Sequence, residues 1–318
     1  MSVERPQGAG GAFEGILNAE RISSRRVALR PENRLESLAM SPLPLAVIDV
    51  LAKEEKLRRE MAGLPSVIVA LSGGADSAYL AWLAHETLGT KALAVTAVSA
   101  SLAQSERRGV EDFVRQFGLR HEFIHTDELA NPLYVANNPD RCYHCKDELF
   151  KKLGELARTR GFAGVAYGVN VDDLGDFRPG QQAAREHRVL TPLLDAGLTK
   201  AEIRELSRRA GLPTWSKPAA ACLASRLQHG IAVTDDNLKL VERGEAALRQ
   251  LGFKQVRVRY HGAPDAPLAR IEIAPEELPR ALTPAMAEKF AEIFRGLGFK
   301  FVTLDLEGYR QGSFNPQK

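Results

Sequence analysis

The residue types and spacing that most directly suggest chemistry lie in one short glycine-containing segment. An apolar run, 67–71, is followed at once by Ser72, Gly73, Gly74, Ala75, Asp76 and Ser77. Glycines let the backbone approach an anion closely, and hydroxyl and amide N–H groups at the start of a helix favour an anion. The segment lacks the Gly-Lys-Ser/Thr ending of a Walker loop. It therefore predicts a phosphate-binding loop that does not serve hydrolysis of a γ-phosphate.

Asp76 is the carboxylate of this loop. Magnesium prefers carboxylate and phosphate oxygens, so we expect Asp76 to hold Mg²⁺ beside the phosphates. The loop is similar to the pyrophosphate-binding loop (PP-loop) of enzymes that cleave ATP between the α and β phosphates and activate a carboxyl, carbonyl or amide group by adenylylation. That resemblance implies ATP as the nucleotide, with binding residues Ser72, Gly73, Gly74, Asp76 and Ser77.

Three cysteines form a second candidate site. Cys142 and Cys145 form a Cys-x-x-Cys pair at a predicted helix start, and Cys222 lies far along the chain. Such a pair serves zinc, iron–sulfur clusters or dithiol redox chemistry, and ordinary reduced cysteines are the plain alternative. The pair stands among charged residues, where a purely structural cysteine is uncommon. Three thiolates suit a 4Fe–4S cluster with one open iron, for which all three cysteines are candidate ligands.

Length and composition exclude several classes of protein. The chain has 318 residues, 44% of them hydrophobic and 26% charged, which is ordinary for a globular protein. No apolar run approaches the ~18 residues of a membrane span, and we find no secretory signal. An odd number of cysteines argues against a disulfide framework and favours a reducing cytoplasm. A net charge of +3 gives little support for a nucleic-acid partner.

Strand and helix patterns alternate through the first two thirds of the chain. We expect strands at 67–71, 92–100, 121–125 and 162–169, and helices at 46–61, 78–88, 102–117, 145–160 and 199–210. This alternation predicts an α/β fold with a parallel sheet covered on both faces. Ligands of such sheets bind at the carboxyl ends of the strands, where the Ser72 loop lies.

The chain divides into three predicted regions. Residues 1–40 are expected to be a disordered extension, 41–226 a nucleotide-binding domain, and 227–318 a smaller α+β domain that serves the substrate or oligomerisation. The first domain ends in an irregular linker, 213–226. The second is predicted to contain helices 235–251 and 284–297 and strands 255–260, 269–273 and 299–304.

Longer segments resemble the LarE family, the ATP-dependent sulfur transferases of the nickel-pincer (lactate racemase) cofactor pathway. The resemblance covers 46–318 and is carried by the Ser72 loop and by the segments 168–180, 221–226, 256–262, 269–272 and 304–310. It implies a PP-loop domain of the adenine-nucleotide α-hydrolase-like type. ATP would adenylylate a carboxylate of pyridinium-3,5-dicarboxylate mononucleotide and release pyrophosphate. A sulfur nucleophile would then displace AMP and leave a thiocarboxylate, and two rounds would give the dithio product.

The resemblance also implies a sulfur source. Some members of the family carry a single cysteine that matches Cys222, sacrifice its sulfur and are left with dehydroalanine. Others carry three cysteines that bind a 4Fe–4S cluster. This chain has Cys142 and Cys145 besides Cys222, so it resembles the cluster type, with a sacrificial Cys222 as the alternative. The sequence does not identify the sulfide donor. Because the family forms oligomers, a homo-oligomer is expected.

Four basic residues receive roles by the same resemblance. Lys200 stands where related enzymes place a lysine that contacts phosphate, although a solvated lysine at a helix start is equally expected. Arg226 would meet a carboxylate or phosphate beside Cys222. Arg257 and Arg259 share one face of a strand and would clamp the substrate phosphate, because arginine binds phosphate bidentately. A salt-bridged sheet face is the alternative for this pair. Candidates to position metal or substrate are Asp172, Asp173 and Asp176.

Two other functions stay open at this point. A tRNA thiolation enzyme would also join this loop to three cysteines, but it needs a strongly basic surface. An ammonia-using synthetase of the NAD or GMP type would use the loop without needing the cysteines.

Overall fold

The structure is a computed structural model that describes residues 45–175, 179–218, 221–262 and 265–310. The prediction of disorder for 1–40 lies outside the described residues. Residues Leu43–Lys318 form one compact unit, so the division at residue 226 stays a prediction. None of the described helices is long and apolar enough to cross a bilayer.

Helices and strands alternate along the described chain. The strands are β1 (Val67–Ala70), β2 (Ala92–Val98), β3 (His121–His125), β4 (Val165–Tyr167), β5 (Val256–His261), β6 (Leu268–Ile273) and β7 (Phe301–Leu304). The helices are α1 (Leu45–Ala62), α2 (Ala75–Leu88), α3 (Gln104–Gln116), α4 (Pro132–Val135), α5 (Arg141–Arg160), α6 (Gly180–Glu186), α7 (Pro192–Asp195), α8 (Lys200–Arg209), α9 (Asp235–Gln250), α10 (Leu278–Ala281) and α11 (Pro284–Leu297).

The first sheet has the order β3-β2-β1-β4, and all of its strand pairs are parallel. Alternate residues of the buried strands face opposite ways. Ile68 and Leu93 pack in one core with Leu153 of α5, whereas Val69 and Ala94 pack in the other core beside α2. Helices therefore cover both faces, which confirms the predicted α/β fold.

A smaller mixed sheet follows in the C-terminal part. β5 and β6 are antiparallel, and β7 is parallel to β6. Its core joins Val258 and Ile271 to Val241 of α9 and Phe294 of α11. The predicted α+β unit is confirmed, and α11 has the bounds that the sequence indicated.

Two local predictions differ from the structure. The helix expected at 145 begins at Arg141, whose buried side chain donates to Asn137 and to the Ala224 carbonyl. Ala224 lies 83 residues away, and local periodicity does not reveal such a partner. The predicted linker contains two short 3₁₀ turns, Pro213–Ser216 and Leu223–Arg226. Thr199 caps α8 by accepting a hydrogen bond from the Glu202 N–H, and Glu202 completes a capping box with it.

Candidate functional site

The loop between β1 and α2 is fixed by hydrogen bonds among its own residues. The Ser72 N–H donates to Ser77 Oγ at 3.1 Å, the two hydroxyl oxygens lie 3.0 Å apart, and Ser77 Oγ donates to the Gly74 carbonyl at 3.1 Å. Gly73 has φ +78°, which L side chains rarely adopt, and a Cβ there would lie 2.8 Å from Val110 Cγ2. The loop thus reaches the helix start in one fixed conformation at the carboxyl end of β1.

Gly168, directly after β4, lies against this loop. A Cβ on Gly168 would lie 2.7 Å from the amide nitrogen of Ser77. Only a glycine lets the two backbones approach so closely. Gly168 lies in segment 168–180, which carries part of the family resemblance, but no role was predicted for it from the sequence.

Asp76 is held by Lys200 from α8. Lys200 Nζ forms an ion pair with Asp76 Oδ2, and the backbone N–H of Lys200 donates to Asp172 Oδ2 at 2.7 Å. Burial raises the pKa of Asp76, and Lys200 opposes that rise. Asp76 Oδ1 is buried and has no hydrogen-bond partner among the described residues. An orphaned carboxylate oxygen of this kind fits a magnesium ion, whose preferred ligands are such oxygens.

Of the other two acidic candidates, Asp173 and Asp176, the structure describes Asp173. Asp173 is buried, and its Oδ2 accepts a hydrogen bond from the Asn170 N–H at 3.0 Å. Burial is the main cause of the raised pKa of Asp76, and the charge of Asp173 adds to it. Asp176 lies outside the described residues.

A cavity of 220 Å³ joins the loop to the cysteines. Ser72 and Ser77 of the loop line it, and so do Cys145 and Cys222. Its further polar walls include Glu106, Glu128 and Lys146, among apolar residues such as Leu71, Leu102 and Leu149. The phosphate-binding loop and two of the three thiols therefore face the same space.

All three cysteines are free thiols. Cys145 Sγ lies 3.8 Å from Glu128 Oε1, to which it donates. Burial raises the pKa of the Cys145 thiol, Lys146 opposes the rise, and Cys222 adds to it. Within the ranges that the structure covers, no three His, Cys, Asp or Glu side chains gather closely enough to hold a metal ion. The cysteines thus offer the donor type that an iron–sulfur cluster requires, but they are not assembled around one point.

Buried Arg141 links the two segments that carry the cysteines. One of its terminal nitrogens donates to the Ala224 carbonyl at 2.8 Å, and the other lies 3.9 Å from Cys142 Sγ. The N–H of Leu223 donates to the Ser101 carbonyl at 2.9 Å. These contacts hold the turn after Cys222 beside the start of α5.

The three candidate arginines form a second, buried group beside Cys222. Arg226 donates through Nε to Glu245 at 2.9 Å and through a terminal nitrogen to the Cys222 carbonyl at 2.8 Å. Arg259 pairs with Glu272 at 2.9 Å and donates to the Ser225 carbonyl at 3.0 Å. Arg257 donates to the Val256 carbonyl and lies 5.1 Å from the centre of the Tyr309 ring.

The arginine group also contains buried carboxylates. Burial lowers the pKa of Arg257, and the neighbouring Arg226 lowers it further. The buried side chains of Arg226, Arg257 and Arg259 lie with the buried carboxylates of Glu245 and Glu272. None of the three arginines lines the 220 Å³ cavity. Arginine binds phosphate bidentately, and the salt-bridged face weighed as the alternative is present at Arg259.

Sequence reasoning missed two residues at the loop. Lys217 Nζ donates to the Gly73 carbonyl at 2.9 Å and to Glu106 Oε2 at 2.6 Å. Lys217 falls in the predicted irregular linker and Glu106 on an amphipathic helix, so no local pattern marks either of them. Only the packing of α3 and of the 213–217 turn against the loop brings them there.

A parallel sheet whose central strand ends in a Ser-Gly-Gly-x-Asp-Ser loop at a helix start defines a PP-loop nucleotide-binding protein. Comparison with known proteins agrees. The sequence model of the NAD synthase family matches residues 50–174. A subunit of the glutamine-hydrolyzing GMP synthase of Pyrococcus horikoshii is 28% identical over 50% of this chain and 56% of its own length.

Two relatives match nearly their whole length. An uncharacterized protein of Synechocystis sp. is 43% identical over 83% of this chain and 97% of its own length. The pyridinium-3,5-bisthiocarboxylic acid mononucleotide synthase of Lactiplantibacillus plantarum is 33% identical over 83% of this chain and 94% of its own length. The chain therefore belongs to the LarE family, the family of this synthase.

Proposed function

We propose that this protein is an ATP-dependent sulfur transferase that converts pyridinium-3,5-dicarboxylate mononucleotide to its bisthiocarboxylate. The observation that carries the proposal is the shared cavity, in which Ser72 and Ser77 of the PP-loop face Cys145 and Cys222. An enzyme that activates a carboxylate with ATP and then attacks it with sulfur needs both groups at one place. Family membership supports the same substrate.

The first step is adenylylation. A carboxylate oxygen of the substrate attacks the α phosphorus of ATP, the bond to the β phosphate breaks, and pyrophosphate leaves. The loop backbone and the Ser72 and Ser77 hydroxyls bind the departing pyrophosphate, because N–H and O–H donors at a helix start favour anions. Asp76 Oδ1 would hold magnesium, which supplies neutralisation of phosphate charge. Lys200, freed from Asp76, would then contact a phosphate.

The second step is sulfur transfer. A sulfur nucleophile attacks the carbonyl carbon of the acyl-adenylate, the carbon–oxygen bond to AMP breaks, and AMP leaves. A carboxylate alone is a poor electrophile, so this order explains the need for ATP. The apolar walls of the cavity, such as Leu71, Leu102 and Leu149, exclude water that would hydrolyse the acyl-adenylate.

The arginine group is proposed to bind the phosphate of the mononucleotide. Arg257 and Arg259 lie on alternate positions of β5. Arg226 donates to the Cys222 carbonyl, and Arg259 donates to the Ser225 carbonyl, next to Arg226 in the chain. The grouping of three buried arginines supports an anionic ligand there, because arginine binds phosphate bidentately. Anchoring the phosphate at this group would hold the pyridinium carboxylates toward Cys222.

Cys142, Cys145 and Cys222 are proposed as ligands of a 4Fe–4S cluster that carries the sulfur. The support is the donor set: three free thiols, of which two line the cavity, with Arg141 between the two segments that carry them. Such a cluster would supply an iron with an open position for sulfide. The competing proposal is that Cys222 gives up its own sulfur.

The test is substrate-dependent release of pyrophosphate by purified protein given ATP, Mg²⁺ and the dicarboxylate mononucleotide. Product masses measured with a sulfide source should show replacement of carboxylate oxygen by sulfur. The matched control replaces the mononucleotide by nicotinamide mononucleotide, which has no free carboxylate and should release none. Release that depends on added tRNA, or on ammonia, would overturn the proposed substrate.

A further inference from the structure

We propose that Lys217 is a positioning residue of the PP-loop, which aims the Gly74 N–H at the pyrophosphate group of ATP. The proposal deepens the proposed function, on which it rests for the identity of the ligand. It starts from a cation that contacts the loop without lining the cavity.

Lys217 contacts the peptide group that joins Gly73 to Gly74 in the loop. Its Nζ donates to the Gly73 carbonyl at 2.9 Å. The peptide bond between Gly73 and Gly74 is trans, so the Gly73 C=O and the Gly74 N–H point in opposite directions. Holding the carbonyl outward with an ammonium group therefore turns the Gly74 N–H the other way.

No hydrogen bond among the described residues uses the Gly74 N–H. It is the N–H of the residue that precedes α2, the position at which a helix presents free donors to an anion. A donor that is fixed in direction before the ligand arrives needs no reorganisation on binding. The Lys217 contact supplies this preorganisation.

Lys217 is itself held through both its backbone and its side chain. Arg204 of α8 donates to the Lys217 carbonyl at 2.7 Å, and the Lys217 N–H donates to the Thr214 carbonyl at 3.1 Å. Glu106 accepts from its Nζ at 2.6 Å. A Cβ added at Gly109 would lie 3.8 Å from Nζ. These contacts keep the ammonium group on the loop carbonyl.

A role for Lys217 as a direct phosphate ligand fits the structure less well. Glu106 lines the cavity and Lys217 does not, so the carboxylate stands on the cavity side of the pair. The effect of Lys217 on phosphate must then pass through the Gly73–Gly74 peptide. This makes the proposal testable by removing the N–H itself.

The experiment measures the affinity of magnesium pyrophosphate by calorimetry in a double-mutant cycle. Lys217→Met removes the ammonium. Gly74→Pro removes the N–H at a residue whose φ is −78°, which proline adopts. Each variant should lose about tenfold in affinity, the value of one hydrogen bond to a charged group. The double variant should lose no more than either single variant, because both remove the same donor.

Affinity for the dicarboxylate mononucleotide should stay unchanged in these variants, which a general loss of structure would not allow. Lys91→Met is the matched control and should bind pyrophosphate like the wild type. Lys91 is exposed and directly precedes β2, at the end of that strand opposite to its carboxyl end. Wild-type affinity in Lys217→Met, or losses that multiply in the double variant, would overturn the role of Lys217.

Should Lys217→Met melt well below the wild type, Lys217→Arg keeps a charged donor and should restore binding. A folded Lys217→Arg protein that binds as weakly as Lys217→Met would overturn the inference. A wild-type protein that binds neither pyrophosphate nor ATP would instead remove the proposed function, and this inference with it.

Discussion

Gly168 follows β4 and Ser77 lies in the first turn of α2, yet the backbone of one lies against the backbone of the other. A side chain as small as a methyl group on Gly168 would place its Cβ 2.7 Å from the Ser77 nitrogen and 2.9 Å from the Asp76 carbonyl carbon. The β4 end therefore supports the PP-loop, and the shape of the loop depends on a residue that lies outside it.

Gly168→Ala is expected to displace the loop and weaken ATP binding by more than about tenfold, since backbone atoms cannot yield as a flexible side chain can. Titration with ATP and Mg²⁺ checks this. Gly154→Ala is the control: it lies in α5 with nothing within 4 Å of the added Cβ, and it should raise stability slightly without changing ATP affinity. Equal ATP affinity in the two variants would contradict the close approach.

Asp76→Asn should lower pyrophosphate release by more than about 100-fold, because it removes a charged metal ligand. It should leave the melting temperature at neutral pH unchanged or higher. Burial raises the pKa of Asp76 in the folded protein above its ordinary value of 3.8. At a pH between the ordinary pKa and the raised pKa, the folded state therefore binds more protons than the unfolded state. Stability therefore falls as pH rises through that window.

The advantage of Asp76→Asn in thermal stability should accordingly vanish below pH 3.8, where Asp76 is protonated in both states. Melting curves across pH measure this. Asp112→Asn, on an exposed part of α3, is the control and should keep full activity. A variant at position 76 that melts far below the wild type at neutral pH would show that the ion pair with Lys200 outweighs burial.

Arg257→Ala should raise the KM for the mononucleotide about 10- to 150-fold, the range expected when a charge-assisted phosphate contact worth about 1.5–3 kcal/mol is lost. The affinity for ATP should stay nearly unchanged. Steady-state kinetics with each substrate varied in turn makes the distinction, with Arg115→Ala on exposed α3 as control. Loss of ATP affinity with an unchanged KM for the mononucleotide would assign Arg257 to the nucleotide site.

Arg259→Ala should show the same rise in KM and, in addition, a lower melting temperature. Its partner Glu272 is fully buried and would keep the ion pair with Arg270 at 3.0 Å. Removing one member of a buried pair costs roughly 3–5 kcal/mol when the other is left uncompensated, so the cost here should fall below that range. A changed melting temperature with an unchanged KM would show that Arg259 has a structural role and does not bind the substrate phosphate.

Cys142→Ser, Cys145→Ser and Cys222→Ser should each remove iron from anaerobically purified protein and stop formation of the thiocarboxylate. Substrate-dependent pyrophosphate release should largely remain, because the loop does not use the cysteines. Iron content and product mass spectra are the measurements. If Cys222 is a sacrificial donor instead, each protein molecule will transfer one sulfur and lose the mass of one H₂S as Cys222 becomes dehydroalanine, and the changes at Cys142 and Cys145 will have little effect.

The sequence by itself determined the α/β class, the position of the PP-loop and the family. The class and the loop follow from local patterns: apolar runs of strand length, helical periodicity, and a glycine-rich turn between a strand and a helix. The family follows from the resemblance of longer segments to its members. The Thr199 cap was equally predictable, since Thr199 and Glu202 stand three residues apart and satisfy each other's backbone.

Only the tertiary structure decided which distant residues meet at the loop. Lys217 comes from a segment without a regular pattern, Gly168 from the end of a short strand, and Glu106 from the first turn of α3. Their contacts depend on how the 213–217 turn, β4 and α3 pack around the end of β1. Packing of this kind acts between residues far apart in the chain, so these contacts cannot be predicted from composition or from the spacing of residues in the sequence.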